Sequence, residues 1–236
     1  MAFDIPRNVI LPVDAVDVRL DPAPHPLALE HADEIEANWQ REKAANPAFF
    51  DGTMVLPSAL AYRDRQLAGV CHEIRFATFL YWRKHRNFGR AEHYYAHAAL
   101  VTADNALLAI RMGAHTASPR GVYFAAGSFE AMDFRGGRVD IDFNMARELG
   151  EETGLSLDGL RRDAGYQAYS ENSGTAIFRR YYLGDDAETA AEKVRAFVAG
   201  EADPEIEGPV IIRGADDMPD GIKPHMVAFM SWHFGL

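Results

Sequence analysis

Apolar residues recur at helical spacing along several segments of the chain. In the first, Ile35 and Trp39 lie four positions apart, which predicts a helix over residues 32–45, and Pro47 prevents its continuation. FATFLYWRKHR predicts a short amphipathic helix with a basic end. Further helices are predicted at NMARELGEETG, at AETAAEKVRAFVAG and after Pro224.

Strands are predicted by alternating or short apolar runs between turn residues. TMVLPSALAYRDRQLAGVCHEIRF indicates two or three short strands with a turn near Asp64–Arg65, and AHAALVTADNALLAIRMG indicates two strands joined at Asp-Asn. Other strands are predicted at NVILPV, VDVRL, VYFAAGS, YQAYSE, TAIFRRYYL and IEGPVIIRG. Helices and strands follow no regular alternation, which favours an α+β fold with helices on a mixed sheet. We place a domain boundary near residue 90, with residues 1–90 as an N-terminal α+β extension and residues 91–236 as the main domain.

The composition narrows the classes of partner. The chain has 236 residues, 48% hydrophobic and 25% charged, as expected of a globular protein with a substantial core. Its formal charge of -11 argues against a broad nucleic-acid or anionic-membrane surface, because phosphates would be repelled. A small phosphate ligand is compatible with this charge if divalent cations neutralise it locally.

The single cysteine and the chain ends bear on location. Cys71 alone can form neither an intrachain disulfide nor a cysteine zinc site. We see no signal-peptide pattern at the N-terminus and no run of roughly 18–20 apolar residues. We therefore expect a cytoplasmic protein without a membrane partner. The apolar end HMVAFMSWHFGL is predicted to dock on the core, with an oligomer interface as the alternative.

The stretch RELGEETGL concentrates negative charge on one helix face. Glu148, Glu151 and Glu152 occupy positions i, i+3 and i+4. Like charges at this spacing oppose each other, and the last turn of a helix prefers cations. A hard divalent cation such as Mg²⁺ would reverse both effects, because it binds carboxylate oxygens. The alternative is an ordinary solvated acidic face.

The same stretch resembles the second half of the Nudix hydrolase signature. Every constrained position of that half is met, by Arg147, Glu148, Leu149, Glu151, Glu152, Gly154 and Leu155. The resemblance implies an α/β/α sandwich with a mixed sheet. It also implies Mg²⁺- or Mn²⁺-dependent hydrolysis of the pyrophosphate bond in a nucleoside diphosphate linked to another group.

The first half of the signature is altered. The family has Glu eight residues before Arg147, where this chain has Val139. Gly127 followed by five residues reaches Asp133, which can stand for that Glu. Thirteen residues then separate Asp133 from Arg147 instead of seven, and Gly136–Gly137 suggests a loop extension. A second registration, from Gly136 or Gly137, places no acid where one is needed.

The resemblance implies a role for each matching position. Glu148, Glu151 and Glu152 would bind metal, and Glu148 or Glu152 would deprotonate the attacking water. Arg147 would pair with an acid and orient the glutamates. The Gly127 carbonyl and Asp133 would complete the metal site. A further acid is expected downstream, where ADPEIEGPVII offers Glu205 and Glu207; we select Glu205 and keep an acidic strand edge as the alternative.

Other features are weaker. His93 and His97 lack the acid of an HExxH zinc motif, so we do not predict zinc. RKHRNFGR, from Arg83 to Arg90, could hold a substrate phosphate or form a solvated helix end. WQREKAANPAFFDGTMVL resembles the N-terminal segment of the Nudix subgroup that hydrolyses UDP-glucose. A nucleotide sugar is thus one candidate substrate. The rival hypothesis is a catalytically silent nucleotide-binding module.

Overall fold

The computed structural model describes residues 2–85 and 89–235. Its α-helices are α1 (Pro26–Glu30), α2 (Ala32–Ala45), α3 (Phe76–His85), α4 (Ile141–Thr153), α5 (Ala187–Gly200) and α6 (Pro224–Phe234). Its strands are β1 (Phe3–Asp4), β2 (Ile10–Val13), β3 (Ala15–Asp21), β4 (Thr53–Arg63), β5 (Gln66–Arg75), β6 (His93–Val101), β7 (Leu107–Met112), β8 (Val122–Tyr123), β9 (Phe134–Arg135), β10 (Arg138–Val139), β11 (Arg161–Arg162), β12 (Tyr166–Glu171), β13 (Gly174–Tyr182) and β14 (Ile206–Ile212). None of these helices is both long and apolar enough to cross a membrane.

The strands form two mixed sheets. The larger sheet has the order β14-β7-β6-β13-β12-β2, with β8 beside β7 and β11 beside β13. Within it β6 and β13 run parallel, and the other pairs are antiparallel. The smaller sheet has the order β1-β4-β5-β3-β10-β9, with parallel pairs at β1–β4 and β3–β5. The predicted α+β class with mixed sheets is confirmed.

Helices cover both faces of the larger sheet. Leu100 of β6 belongs to the buried cluster that contains Met145 of α4. Its neighbour Ala99 points to the opposite face and belongs to the cluster that contains Phe229 of α6. This alternation, which follows from the two-residue period of a strand, produces the predicted arrangement of a sheet between helices.

The apolar C-terminal segment docks on the core, as predicted. Met226, Phe229 and Met230 of α6 are completely buried. Burial of such a side chain contributes about 1.5–3 kcal/mol relative to exposure, so α6 is firmly attached to the larger sheet. Gly235, with φ 80°, ends the helix.

Strand pairing connects the two sides of the predicted boundary near residue 90. The edge strand β2 pairs with β12, with Val13 opposite Tyr166. In the other direction, Arg138 of β10 pairs with Arg19 of β3 and joins the smaller sheet. Residues 1–90 thus add an edge strand to the larger sheet, and residues 91–236 add β10 to the smaller sheet. The domain boundary itself stays a prediction.

Two local predictions need correction. The segment from Thr53 to Arg75 forms two long strands, joined by a turn in which Asp64 and Arg65 have φ 48° and 64°. Helix α3 is not amphipathic: residues 77–82 are all buried, because the helix packs against α2 on one side and β4 and β5 on the other. Sequence periodicity could not show this second neighbour.

The predicted loop extension before α4 is a β-hairpin. Gly136 and Gly137, with φ 57° and 77°, form its turn between β9 and β10. Positive φ at two successive turn positions is nearly free of steric cost only for glycine and matches the twist of a two-stranded ribbon. Asp140 follows the hairpin and caps α4, because its side chain accepts a hydrogen bond from the Phe143 amide at 3.1 Å.

Candidate functional site

The acidic face of α4 points largely inward. Glu148 is 9% exposed and Glu152 is 7% exposed, whereas the Glu151 side chain is 59% exposed. The alternative of a solvated acidic face therefore describes Glu151 only. Two carboxylates lie buried one helical turn apart, and burying such charges is costly unless a cation or hydrogen bonds compensate them.

The segment after β8 lies directly against these two carboxylates. The amide of Ala126 donates a hydrogen bond to Glu152 Oε2 at 2.9 Å. A Cβ atom added to Gly127 would collide with all three atoms of the Glu148 carboxyl group. The approach therefore requires a residue without a side chain, which gives a physical reason for glycine at this position.

Asp133 and Arg147 form a buried pair beside the glutamates. The Asp133 carboxylate is fully buried and accepts hydrogen bonds from Arg147 Nη2 and Nε at 3.0 and 3.3 Å. It also accepts from the Asn144 amide and the Glu130 backbone, each at 2.9 Å. With this set of donors, Asp133 positions Arg147, and it is not among the residues that line the neighbouring cavities.

Arg147 in turn holds two of the helix glutamates. Its guanidinium lies 2.7 Å from Glu148 Oε1 and 3.1 Å from Glu151 Oε2. Burial lowers the pKa of Arg147, but the hydrogen bond to Asp133 and the charges of Glu148 and Glu151 outweigh it, so the pKa is raised overall. Across residues 2–85 and 89–235, no three His, Cys, Asp or Glu side chains are grouped as a metal site.

The pKa values of the two buried glutamates are both raised. Burial, together with the charges of Glu151 and Asp133, raises the pKa of Glu148 to about 8 despite Arg147. Burial and the nearby Glu148 raise the pKa of Glu152 well above its ordinary value. Carboxyl groups perturbed in this way, within a cleft, are characteristic of functional sites.

Two cavities meet at these side chains. One has a volume of about 730 Å³ and the other about 520 Å³, and both are lined by Gly127, Glu148, Glu152 and Glu205. Glu205 lies just before β14, where its carbonyl accepts a hydrogen bond from the Gly113 amide at 2.7 Å. Glu207 lines neither cavity and pairs with Arg120 at 3.7 Å.

The donor set fits a hard divalent cation. Glu148, Glu152 and Glu205 line one cavity, although the described residues do not bring their carboxylates together into a three-ligand group, and carboxylate oxygens are the ligands that Mg²⁺ and Mn²⁺ prefer. The buried pair of Glu148 and Glu152 carries the clearest signal, because a cation would offset the burial and the neighbouring negative charges that raise both pKa values. Glu151 also lines the smaller cavity, although its side chain is largely exposed.

The larger cavity also contains residues that sequence patterns did not single out. Tyr95, Tyr123, Lys223 and His225 line it, together with Phe79. The alternation of His93, Tyr95 and His97 in β6 was visible, but only the fold shows that α6 closes over that face. His93 and His97 hydrogen bond to Ser128 Oγ and the Phe124 carbonyl at 2.9 and 3.0 Å.

The basic island from Arg83 to Arg90 is only partly described. Arg83 lines the larger cavity and approaches the Ala117 carbonyl at 3.1 Å, whereas residues 86–88 lie outside the described residues. Arg90 pairs with Glu30 at the surface. The two ends of the island thus have different surroundings, and among its described residues only Arg83 lines the cavity.

Comparisons with known proteins give weak similarities. No protein-family model matches this chain, and no curated protein matches it. Among solved structures, a MutT protein from Methanosarcina mazei Go1 is 12% identical, with a TM-score of 0.40 over 60% of this chain and 92% of its own. A Nudix hydrolase from Nitrosomonas europaea is 16% identical, with a TM-score of 0.31 over 51% and 72%. A C. elegans Ap4A hydrolase is 11% identical, with a TM-score of 0.37 over 61% and 95%. At this level the activity must be argued from the residues of the site.

Proposed function

We propose that this protein is a divalent-metal-dependent hydrolase of the Nudix type. Its reaction is cleavage of the pyrophosphate bond in a nucleoside diphosphate linked to another group. The observation that carries the proposal is the buried pair Glu148 and Glu152, packed against Gly127 and sharing a cavity with Glu205. The complete RELGEETGL motif supplies Glu148 and Glu152.

Each residue has a proposed task. Glu148, Glu152 and Glu205 hold Mg²⁺ or Mn²⁺, with Glu151 and the Gly127 carbonyl as further ligands. When bound, the cation neutralises the diphosphate and lowers the pKa of a water. Glu148 or Glu152 accepts the proton of the attacking water. Arg147 fixes the orientation of Glu148, and we assign Asp133 to holding Arg147 rather than to the metal.

The substrate is a small nucleotide derivative. A volume of about 730 Å³ is within the range of ordinary ligand sites and suits a nucleoside diphosphate with one further group. A nucleotide sugar is one candidate, supported by the resemblance of the segment from Trp39 to Gly52. A cytoplasmic location and self-association stay predictions.

The experiment is a substrate panel with Mg²⁺ and with Mn²⁺. It includes nucleoside diphosphate sugars, ADP-ribose, dinucleotide polyphosphates and nucleoside triphosphates, and it measures the nucleotide released. Wild type should hydrolyse a member of the panel, and Glu152→Gln should lose that activity. Glu73→Gln, an exposed residue of β5 outside both cavities, serves as the control and should match wild type. Equal inactivity of wild type and Glu152→Gln on every compound would refute the hydrolase proposal.

A nucleotide-binding module without turnover is the second candidate. Two observations favour it: Arg147 forms an ion pair with Glu148 at 2.7 Å, and Asp133 lines neither cavity. Calorimetry separates the two functions, because tight nucleotide binding with Mg²⁺ and no product would identify the module.

A further inference from the structure

A wall of aromatic rings lines the larger cavity. The side chains of His93, Tyr95 and His97 lie on one face of the sheet, because every second residue of a strand points to the same side. The rings of His93 and Tyr95 stack with centroids 4.6 Å apart, and Phe79 contacts His93 at 5.0 Å. His225 of α6 meets Tyr95 at 5.5 Å. Helix α3, strand β6 and helix α6 thus each contribute an aromatic ring to this wall.

Strand pairing places Glu171 in line with this wall. Gly174 of β13 pairs with His93 on one side and with Glu171 on the other, so these three residues form one row. Paired residues point to the same face of a sheet, and glycine contributes no side chain to the row. His93 and Glu171 are thus separated by two strand spacings, roughly 10 Å.

Glu171 lies at the opposite end of this row from His93. It lines the larger cavity, as do Glu148, Glu152 and Glu205, but it belongs to the aromatic side. Its Oε1 accepts a hydrogen bond from the Ser173 hydroxyl at 2.6 Å. Within residues 2–85 and 89–235, Oε2 accepts none. An ionised carboxylate is purely an acceptor, so this oxygen fits a ligand that presents N–H groups.

Aromatic rings beside a carboxylate are suited to a nucleobase. Every base stacks on aromatic side chains, and each such contact is worth about 1–3 kcal/mol. The base edges differ: guanine presents two adjacent N–H donors, adenine and cytosine present one donor beside an acceptor, and uracil presents its single N–H between two carbonyls. A carboxylate matches the guanine edge and repels the uracil carbonyls.

We propose that His93, Tyr95 and Glu171 form a nucleobase subsite in which Glu171 selects guanine over uracil. This inference rests on the proposed function, since it assigns the base of the nucleoside diphosphate. The rings are suited to stacking, because burial lowers the pKa of His93 and His97 to about 3 and keeps them neutral. The subsite does not use Glu148, Glu152 or Glu205, which are assigned to the diphosphate and its cation.

The test is base-selective binding without metal. GMP and UMP carry the same ribose and phosphate, so their ratio of dissociation constants isolates the base. Each is titrated in EDTA by ligand-observed NMR into wild type, Glu171→Gln and the control Glu73→Gln. We expect wild type and Glu73→Gln to prefer GMP by roughly tenfold, the effect of one charge-assisted hydrogen bond. Glu171→Gln should lose this preference.

A second variant checks the wall itself. Tyr95→Leu should weaken GMP and UMP binding alike and leave their ratio unchanged, because stacking is insensitive to base identity. The inference is overturned if wild type binds neither monophosphate, if it shows no preference for GMP, or if Glu171→Gln keeps the wild-type ratio. Equal GMP binding by Tyr95→Leu and wild type would also overturn it.

The outcomes separate this inference from the proposed function. A protein that prefers GMP, loses the preference in Glu171→Gln and hydrolyses nothing would retain the subsite and refute the hydrolase. A protein that hydrolyses nucleotides with Mg²⁺ but ignores the base would retain the hydrolase and refute the subsite.

Discussion

Replacing Gly127 by alanine tests the contact between the β8–α4 connection and the acidic helix. The new Cβ would occupy the position of the Glu148 carboxyl group. Gly127 is not among the residues with positive φ, so alanine fits its backbone. The group that must move is the end of a flexible side chain. The variant should therefore fold normally and displace the Glu148 carboxylate from Arg147 and the cavity.

The magnitude follows from the size of this displacement. The collision involves the whole carboxyl group, so the oxygens must shift by 1 Å or more, about the van der Waals overlap. A misplacement of that size costs about 10²-fold in rate, which corresponds to about 2.7 kcal/mol of transition-state stabilisation. The fold should lose little, because glycine to alanine at a compatible backbone position stabilises proteins by about 0.4–1 kcal/mol.

The assay combines Mg²⁺-dependent turnover of the best panel substrate with thermal unfolding. Gly150→Ala is the matched control: it lies on the same helix, and its added Cβ would meet only the Leu155 carbonyl oxygen at 3.8 Å. It should keep full activity and raise stability by about 0.5–1 kcal/mol, as alanine does in a helix. Wild-type turnover in Gly127→Ala, with a normal melting temperature, would refute the role of the contact.

Three further predictions concern the charges around α4. Asp133→Asn should reduce the free energy of unfolding, measured in urea, by about 3 kcal/mol, because it removes the buried partner of Arg147 and leaves it only Glu148 and Glu151. The control Asp4→Asn removes an exposed partner of Arg63 and should change the free energy of unfolding little. Because the folded state raises the pKa of Glu148 from 4.5 to about 8, the native state binds more protons between these values, so metal-free stability should fall as pH rises through that window. Thermal melts at pH 6 and 8 check this, and a slope unchanged in Glu148→Gln would contradict it. Glu205→Gln should weaken Mn²⁺ binding by at least about tenfold in calorimetry, and equal weakening in Glu207→Gln would count against the assignment of Glu205.

Local chemistry predicted much of the fold. The helix from Ala32 to Ala45 has the predicted bounds. Gly154 caps the C-terminus of α4, and Gly200 is the last residue of α5, as expected of glycine. What failed depended on distant neighbours. Residues 77–82 of helix α3 are buried because α2 packs on it in addition to β4 and β5, and the Gly136–Gly137 loop is a hairpin because β3 offers it a partner strand.

The site was predictable to the extent that it is local. The spacing within α4 places Glu148 and Glu152 on one buried face. The position of Gly127 was predicted from its place in the signature, and its contact with Glu148 explains why glycine is needed there. Spacing could not distinguish Glu205 from Glu207, because the choice depends on a register shift between Ile206 and Gly208. The row of His93, Gly174 and Glu171 was invisible, since it exists only through strand pairing.

The hairpin before α4 explains how a lengthened connection can still serve the acidic helix. Six added residues would weaken the placement of Asp133 if they formed a free loop, because loop closure costs entropy. Here Arg138 pairs with Arg19 of β3, and the amide of Asp140 donates to the Asp133 carbonyl at 2.7 Å. The insertion is thereby fixed at both ends, and the carboxylate of Asp133 remains on Arg147. The smaller sheet, built mostly from the N-terminal residues, thus supports the orientation of Arg147, and through it Glu148.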